Sequence, residues 1–151
     1  MRPTNTGTGN ADSVSEKIVL FVCVENTFRS ILSEAVFNAQ APEGWVAESA
    51  GVRATTEITL IAVELLHEID IELGPKTPRL VTQEMIDRAL RVITFGCPDR
   101  CPPNTKDKSE DWTVPGSTGK PMWELRAIRD ELRHRVDRLI EEMTKDSSLS
   151  A

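Results

Sequence analysis

The run Ile18-Val19-Leu20-Phe21-Val22 constrains this chain more than any other feature, because it is apolar without interruption and ends directly on Cys23. A strand with one wet face alternates apolar and polar residues. An unbroken run rich in branched and aromatic residues is buried on both faces, as in a parallel sheet. Parallel neighbours need long crossover connections, which are normally helices. The chain supplies them. After a polar stretch ending at Ser30, apolar residues fall at Ile31, Leu32, Ala35, Val36 and Ala39, and Ala41-Pro42-Glu43-Gly44 stops that helix. Trp45 to Ser49 reads as a second strand, turned by Ala50-Gly51. The pattern predicts a helix over Thr56 to Ile71, and a short one over Gln83 to Ala89 capped by Thr82. Leu90 to Phe95 is a third buried strand, and a short fourth is expected near Asp111-Trp112. Pro121 opens the last helix, whose stripe is Leu125, Ile128, Leu132, Val136, Leu139 and Met143. Alternation of this kind predicts an α/β fold, with ligands at the carboxyl ends of the strands. Cys23 and Cys97 both stand at such ends.

A length of 151 residues suits one domain. Residues 1–16 lack a signal peptide's apolar segment and read as a disordered tail; 17–144 form the domain and 145–151 a polar C-terminal tail. With no apolar run long enough to span a membrane, the expected location is cytoplasmic. The net charge of −6 argues against a nucleic-acid partner, though a local loop can still hold one small anion. Three cysteines in a reducing compartment are not structural staples, and an odd number leaves a thiol to be explained.

That thiol is Cys23. The order is buried strand, Cys23, the loop Val24-Glu25-Asn26-Thr27-Phe28, then Arg29-Ser30 and a helix. Five intervening residues let the backbone curl so that several N–H groups point inward, and the helix N-terminus adds to the field. Arg29 offers a planar fork for two oxygens of a tetrahedral anion. The same field favours the thiolate of Cys23, a strong nucleophile. Ser30 can donate a hydrogen bond to that sulfur, and is also placed to cap the helix.

The segment Cys23 to Ser30, with Glu34-Ala35 on the helix and Glu48-Ser49-Ala50-Gly51 after the second strand, resembles the low-molecular-weight protein tyrosine phosphatase superfamily, which includes thioredoxin-coupled arsenate reductases. The resemblance covers most of residues 17 to 143. It implies a phosphotyrosine protein phosphatase I-like three-layer sandwich, a four-stranded parallel sheet in the order 2-1-3-4 with helices on both faces. It implies Cys23 as nucleophile, Arg29 as anion clamp and Asn26 as organiser of a loop whose oxyanion ligand is arsenate or phosphate. Glu25 and Phe28 depart from the commoner Gly and Cys. An acidic residue at 25 weakens anion affinity unless it points away or pairs with a cation.

Cys97-Pro98-Asp99-Arg100-Cys101 follows the third strand. By the resemblance, Cys97 attacks the Cys23–arsenic adduct, Cys101 resolves the disulfide, and a Cys97–Cys101 disulfide passes to an external thiol reductant such as thioredoxin. No tightly bound cofactor is implied. Half of a zinc site is a poor alternative, since His67 and His134 have no metal-site spacing. The other alternative is that the two cysteines are bystanders in a phosphatase. Phosphatases of this family carry an Asp-Pro general acid late in the chain, and by register after Asp111-Trp112 it falls here on Gly116-Ser117. Asp111 is the nearest substitute, ahead of Asp99 and Asp107; Trp112 and Trp123 are the candidates for an aromatic wall. A missing acid hurts ester hydrolysis more than arsenate reduction. Glu34, Ser49 and Asp70 match in register residues that hold a potassium ion in some related reductases, although a helix-surface glutamate and ordinary loop polar groups are the simpler account. The leading expectation is therefore an arsenate reductase; the alternatives are a tyrosine phosphatase acting through phosphocysteine, and a non-catalytic oxyanion or redox sensor.

Overall fold

The computed structural model describes residues 16–53, 57–96, 100–103 and 105–150. Its elements are β1 (Lys17–Cys23), α1 (Arg29–Asn38), β2 (Trp45–Gly51), α2 (Leu60–His67), α3 (Gln83–Arg88), β3 (Ala89–Thr94), a 3-10 turn (Lys106–Lys108), β4 (Ser109–Asp111) and α4 (Met122–Ser150). The sheet order is β2-β1-β3-β4 with all pairs parallel, which is the expected 2-1-3-4. Cys23 stands beside Gly51 on one side, and Val22 beside Thr94 on the other. The carboxyl edge of the sheet is thus built around the end of β1.

The unbroken apolar run is explained by two cores. Val19, Phe21 and Cys23 face the larger one with α1, α2 and α4, while Ile18, Leu20 and Val22 face a smaller one with Ile86 of α3. Val19 to Val22 are fully buried, and each large side chain removed from water contributes about 1.5–3 kcal/mol. The α4 stripe behaves as its period predicts: Leu125, Ile128, Leu132, Val136, Leu139 and Met143 are all buried. That helix continues through the expected tail to Ser150. Thr82 caps α3 by accepting from Met85 N.

The second helix is shorter than Thr56 to Ile71. Thr59 caps it, its side chain accepting from Ala62 N, and Asp70 adopts the left-handed conformation (φ 66°) as Ile71 N returns to Leu66 O at 3.0 Å. Apolar spacing reports burial, and Ile69 and Ile71 reach the core from the turn rather than from the helix. Trp112 is a core residue, its ring packed against Phe21 and Phe95 with centroids 6.0 and 5.9 Å apart. Trp123 is 70% exposed. Among the described residues, no helix is long and apolar enough to cross a membrane.

Candidate active site

The loop between β1 and α1 wraps around the end of the strand. Asn26 sits at its apex, wholly buried, with φ 59°. That left-handed conformation is disfavoured for most side chains and is entered readily by Asn. The Asn26 side chain repays it. Its Nδ2 donates to Ser30 Oγ at 2.8 Å, and its Oδ1 accepts from Arg79 N at 2.8 Å. Asn26 N in turn donates to Cys23 Sγ at 3.3 Å. Ser30 Oγ lies 2.9 Å from the same sulfur. Ser30 is therefore not the helix cap; its hydroxyl is spent on Cys23 and Asn26. Phe28 holds the cap position without any side-chain acceptor and is buried in the core. Among the described residues no side chain caps the first-turn N–H groups of α1, an arrangement suited to an anion.

Arg29 is aimed from both sides. Its Nη1 donates to Val114 O at 2.9 Å, and its guanidinium lies over the Phe95 ring at 5.8 Å. Among the described residues, the rest of the fork has no hydrogen-bond partner, and Arg29 lines the cleft beside Cys23. Cys23, Val24, Glu25, Thr27, Phe28, Arg29, Gly116, Ser117 and Thr118 line a cleft of about 230 Å³. The loop is fixed from below as well. Val52 N and Arg53 N donate to the carbonyls of Cys23 and Val24, and Thr59 N and Oγ1 both donate to Thr27 O. A Cβ built on Gly51 would meet backbone atoms of Val24, Glu25 and Asn26 at 2.8 Å, so only glycine lets the strand lie this close to the loop.

Glu25 takes the second of its two expected options: its carboxylate pairs with Arg53 at 3.3 Å, both side chains being well exposed. The pair cancels a charge that would oppose an anion. Gly116 occupies the wall facing Arg29, with space for a Cβ 3.9 Å from the guanidinium. Asp111 departs from expectation. It does not line the cleft; its Oδ1 accepts from Thr94 Oγ1 at 2.6 Å and from Gly96 N at 2.7 Å, because β4 ends beside the end of β3. Neither Trp112 nor Trp123 forms a wall of the cleft.

Glu34 is another correction. It is not a surface residue but 8% exposed, accepting from Ser49 Oγ at 2.5 Å and from Lys76 Nζ at 2.6 Å. Asp70 lines a side cleft with Glu34 and Lys76. Cys101 packs against the smaller core, across the sheet from Cys23. Cys97 lies outside the described residues. Arg79, Lys76, Gly51 and the Val114 carbonyl are contributions that sequence reasoning missed. Three act through backbone or distant contacts with no local signature; Ala50-Gly51, expected as a turn, instead ends the second strand, and its small residues were the signal available for Gly51.

The family model for low molecular weight phosphotyrosine protein phosphatase matches residues 18–99, which carry the loop, β2 and β3. The chain is 29% identical over 131 residues to an arsenate reductase of Staphylococcus aureus (strain N315), covering 83% of this chain and 97% of that protein. Among solved structures, it is similar to the YwlE arginine phosphatase from Geobacillus stearothermophilus (TM-score 0.80, 29% identity, 89% of this chain and 97% of that one). It is also similar to a thioredoxin-dependent arsenate reductase of Corynebacterium glutamicum (TM-score 0.71, 29% identity, 90% of this chain and 64% of that one). With a matching model over more than half its length, the parallel sheet in the expected order and the oxyanion loop closed around Cys23, the chain belongs to the low molecular weight phosphotyrosine protein phosphatase family.

Proposed function

We propose that this enzyme reduces arsenate to arsenite through a relay of Cys23, Cys97 and Cys101. The observation that carries the reading is the cleft itself: a sulfur held by Ser30 and Asn26, an arginine fork aimed by Val114, and glycine and hydroxyl side chains where an ester hydrolase needs a proton donor. The arsenate reductase of Staphylococcus aureus, matched over nearly its whole length, supports it.

In the first step the Cys23 thiolate attacks arsenic, forming an S–As(V) bond while an arsenic oxygen leaves as water or hydroxide. Arg29 and the loop N–H groups hold the remaining oxygens and neutralise their charge. The Cys97 thiolate then attacks Cys23 Sγ. The S–S bond forms, the S–As bond breaks with its electron pair staying on arsenic, and arsenite departs. Cys101 attacks Cys97 sulfur, releasing Cys23 as thiolate, and an external dithiol of the thioredoxin type reduces the Cys97–Cys101 disulfide. No bound cofactor is needed for these steps. The Lys76 ammonium at Glu34 and Ser49 supplies the positive charge that a potassium ion would otherwise bring there, so we infer that turnover does not depend on potassium.

A phosphatase acting through phosphocysteine is favoured by the loop alone, and Gly116 opposite Arg29 weighs against it. The test is arsenate-dependent NADPH consumption coupled to thioredoxin and its reductase. Turnover by the wild type that disappears in Cys101→Ser supports the relay. Aryl phosphate hydrolysis that survives Cys101→Ser, with no arsenate turnover under any thiol donor, selects the phosphatase.

A further inference from the structure

We infer that Thr59 is a positioning residue for the oxyanion loop: by holding the Thr27 carbonyl outward through its hydroxyl and its N–H, it turns the N–H of Phe28 toward the anion. The inference rests on the reading of this loop as an oxyanion site and goes beyond it. It depends neither on the steps that follow attack by Cys23 nor on the choice between arsenate and phosphate.

A trans peptide unit is planar, so its C=O and the N–H of the next residue point in opposite directions. No cis peptide bond occurs among the described residues. A donor that captures a loop carbonyl from outside therefore aims the following N–H inward. The loop is captured in this way at three places. Val52 N donates to Cys23 O at 3.2 Å and Arg53 N to Val24 O at 2.8 Å, which aims the N–H groups of Val24 and Glu25. Thr59 captures the third carbonyl, that of Thr27, with its N at 3.3 Å and its Oγ1 at 3.2 Å. The residues that carry the aimed N–H groups, Val24, Glu25 and Phe28, all line the cleft with Cys23. Phe28 also holds the cap position of α1, so its N–H adds to the positive end of that helix.

The Thr59 hydroxyl has two partners. It accepts from Ala62 N at 3.3 Å, which caps α2, and gives its own proton to Thr27 O. Each bond polarises the other. The positive end of α2 thus lies against the Thr27 carbonyl, where it favours an acceptor oxygen. The captures by Val52 and Arg53 are backbone to backbone, and no side chain takes part in them. The capture by Thr59 includes a side chain, and a substitution can weaken it. Without the hydroxyl, the Thr27–Phe28 peptide unit keeps only the N–H bond and rocks more freely, so an anion must order it on binding. A neutral hydrogen bond of this kind corresponds to about threefold to tenfold in affinity.

The experiment measures how inorganic phosphate, and separately arsenate, protects Cys23 of the full chain against iodoacetamide, with alkylation at Cys23 read by peptide mass spectrometry and Tm measured on the same samples. Thr59→Val is expected to weaken phosphate binding by about threefold to tenfold, and Thr59→Ser to stay within about twofold of wild type. Thr82→Val is the control for stability alone. It removes the equivalent cap of α3, whose hydroxyl accepts from Met85 N at 3.2 Å, and is expected to lower Tm without changing phosphate affinity. If Thr59→Val does not fold, Thr59→Gly serves, because glycine caps a helix nearly as well as threonine yet has no hydroxyl; the same weakening is expected. Wild-type phosphate affinity in folded Thr59→Val or Thr59→Gly would overturn the inference. So would a Thr59→Ser protein as weak as Thr59→Val, or a Thr82→Val protein that loses as much affinity as Thr59→Val. A wild type whose Cys23 neither anion protects would instead remove the reading of the loop as an oxyanion site, and this inference with it.

Discussion

Replacing Gly51 by alanine tests whether β2 serves as the bed of the oxyanion loop. The backbone of Gly51 is ordinary strand, so alanine meets no conformational obstacle there. Without a clash, the substitution would stabilise the protein slightly, by about 0.4–1 kcal/mol, through a less flexible unfolded chain. The clash decides the sign. Three loop backbone atoms, Asn26 N, Glu25 C and Val24 O, lie 2.8 Å from the new carbon, and none of them can swing aside as a side chain could. Unstrained contacts of carbon lie near 3.5 Å, so strand and loop must part by about 0.7 Å. Overpacking of this kind costs about 1–3 kcal/mol, on the order of 3–9 °C in Tm for a domain of this size. The chemistry suffers more than the fold. The displaced atoms carry the N–H groups that face Cys23 Sγ and the anion, and a shift of this size removes roughly tenfold to a hundredfold from kcat/KM for arsenate. Thermal unfolding and the coupled arsenate assay read the two effects. A Gly51→Ala protein with unchanged Tm and kcat/KM within twofold of wild type would refute the claim that this strand sets the shape of the loop.

Lys76→Met leaves the buried Glu34 carboxylate without its cation; the loss is about 2–3 kcal/mol in thermal unfolding, below that for a fully buried pair because Lys76 keeps 21% of its side chain in water. Potassium chloride should recover more of that variant's Tm than sodium chloride at equal ionic strength, and should do neither for the wild type. Glu25→Gln should leave stability within about 1 kcal/mol, since the pair with Arg53 is exposed, and should lower KM for arsenate several-fold by removing a negative charge from the anion loop. Hydrogen bonds from Arg126 and then Arg129 pull the Glu68 carboxyl from 4.5 down to about 2. Its folded value is depressed, so its stabilising contribution is present above about 4.5 and is lost as pH falls through about 2. The stability gap between wild type and Glu68→Gln should therefore close over that window, as measured by urea unfolding at stepped pH.

The strands, the loop and the last helix could be read from sequence because each rests on a local pattern, whereas the strand order followed from the family resemblance. Ile18 to Val22 must be buried on two faces, and Cys23 to Ser30 are contiguous. The stripe from Leu125 to Met143 repeats along one helix, so its burial is written in its period. What could not be read is carried between distant segments. Arg79 supports Asn26 through a backbone N–H, which no residue type announces. Val114 aims Arg29 through a carbonyl across 85 positions. Glu34 reads as a helix-surface residue because nothing near it in sequence reveals Lys76, and only the family register pairs it with Ser49. Asp111 resembled a substitute acid because proximity in sequence to the expected position says nothing about which way a carboxylate points. Trp112 and Trp123 show the same limit from the apolar side, one sealed in the core and the other left in water.

The two unequal cores on either side of the sheet have a consequence for how the molecule breathes. Cys23 belongs to the side held by α1, α2 and the long α4, whereas Cys101 rests on the side covered by α3, a single helix of six residues. Opening the thin side exposes far less apolar surface than opening the thick one, and fluctuations divide accordingly. The nucleophile thus sits in the part of the protein that melts last, and the sulfur that, in the proposed relay, must receive electrons from an external thiol sits in the part that melts first.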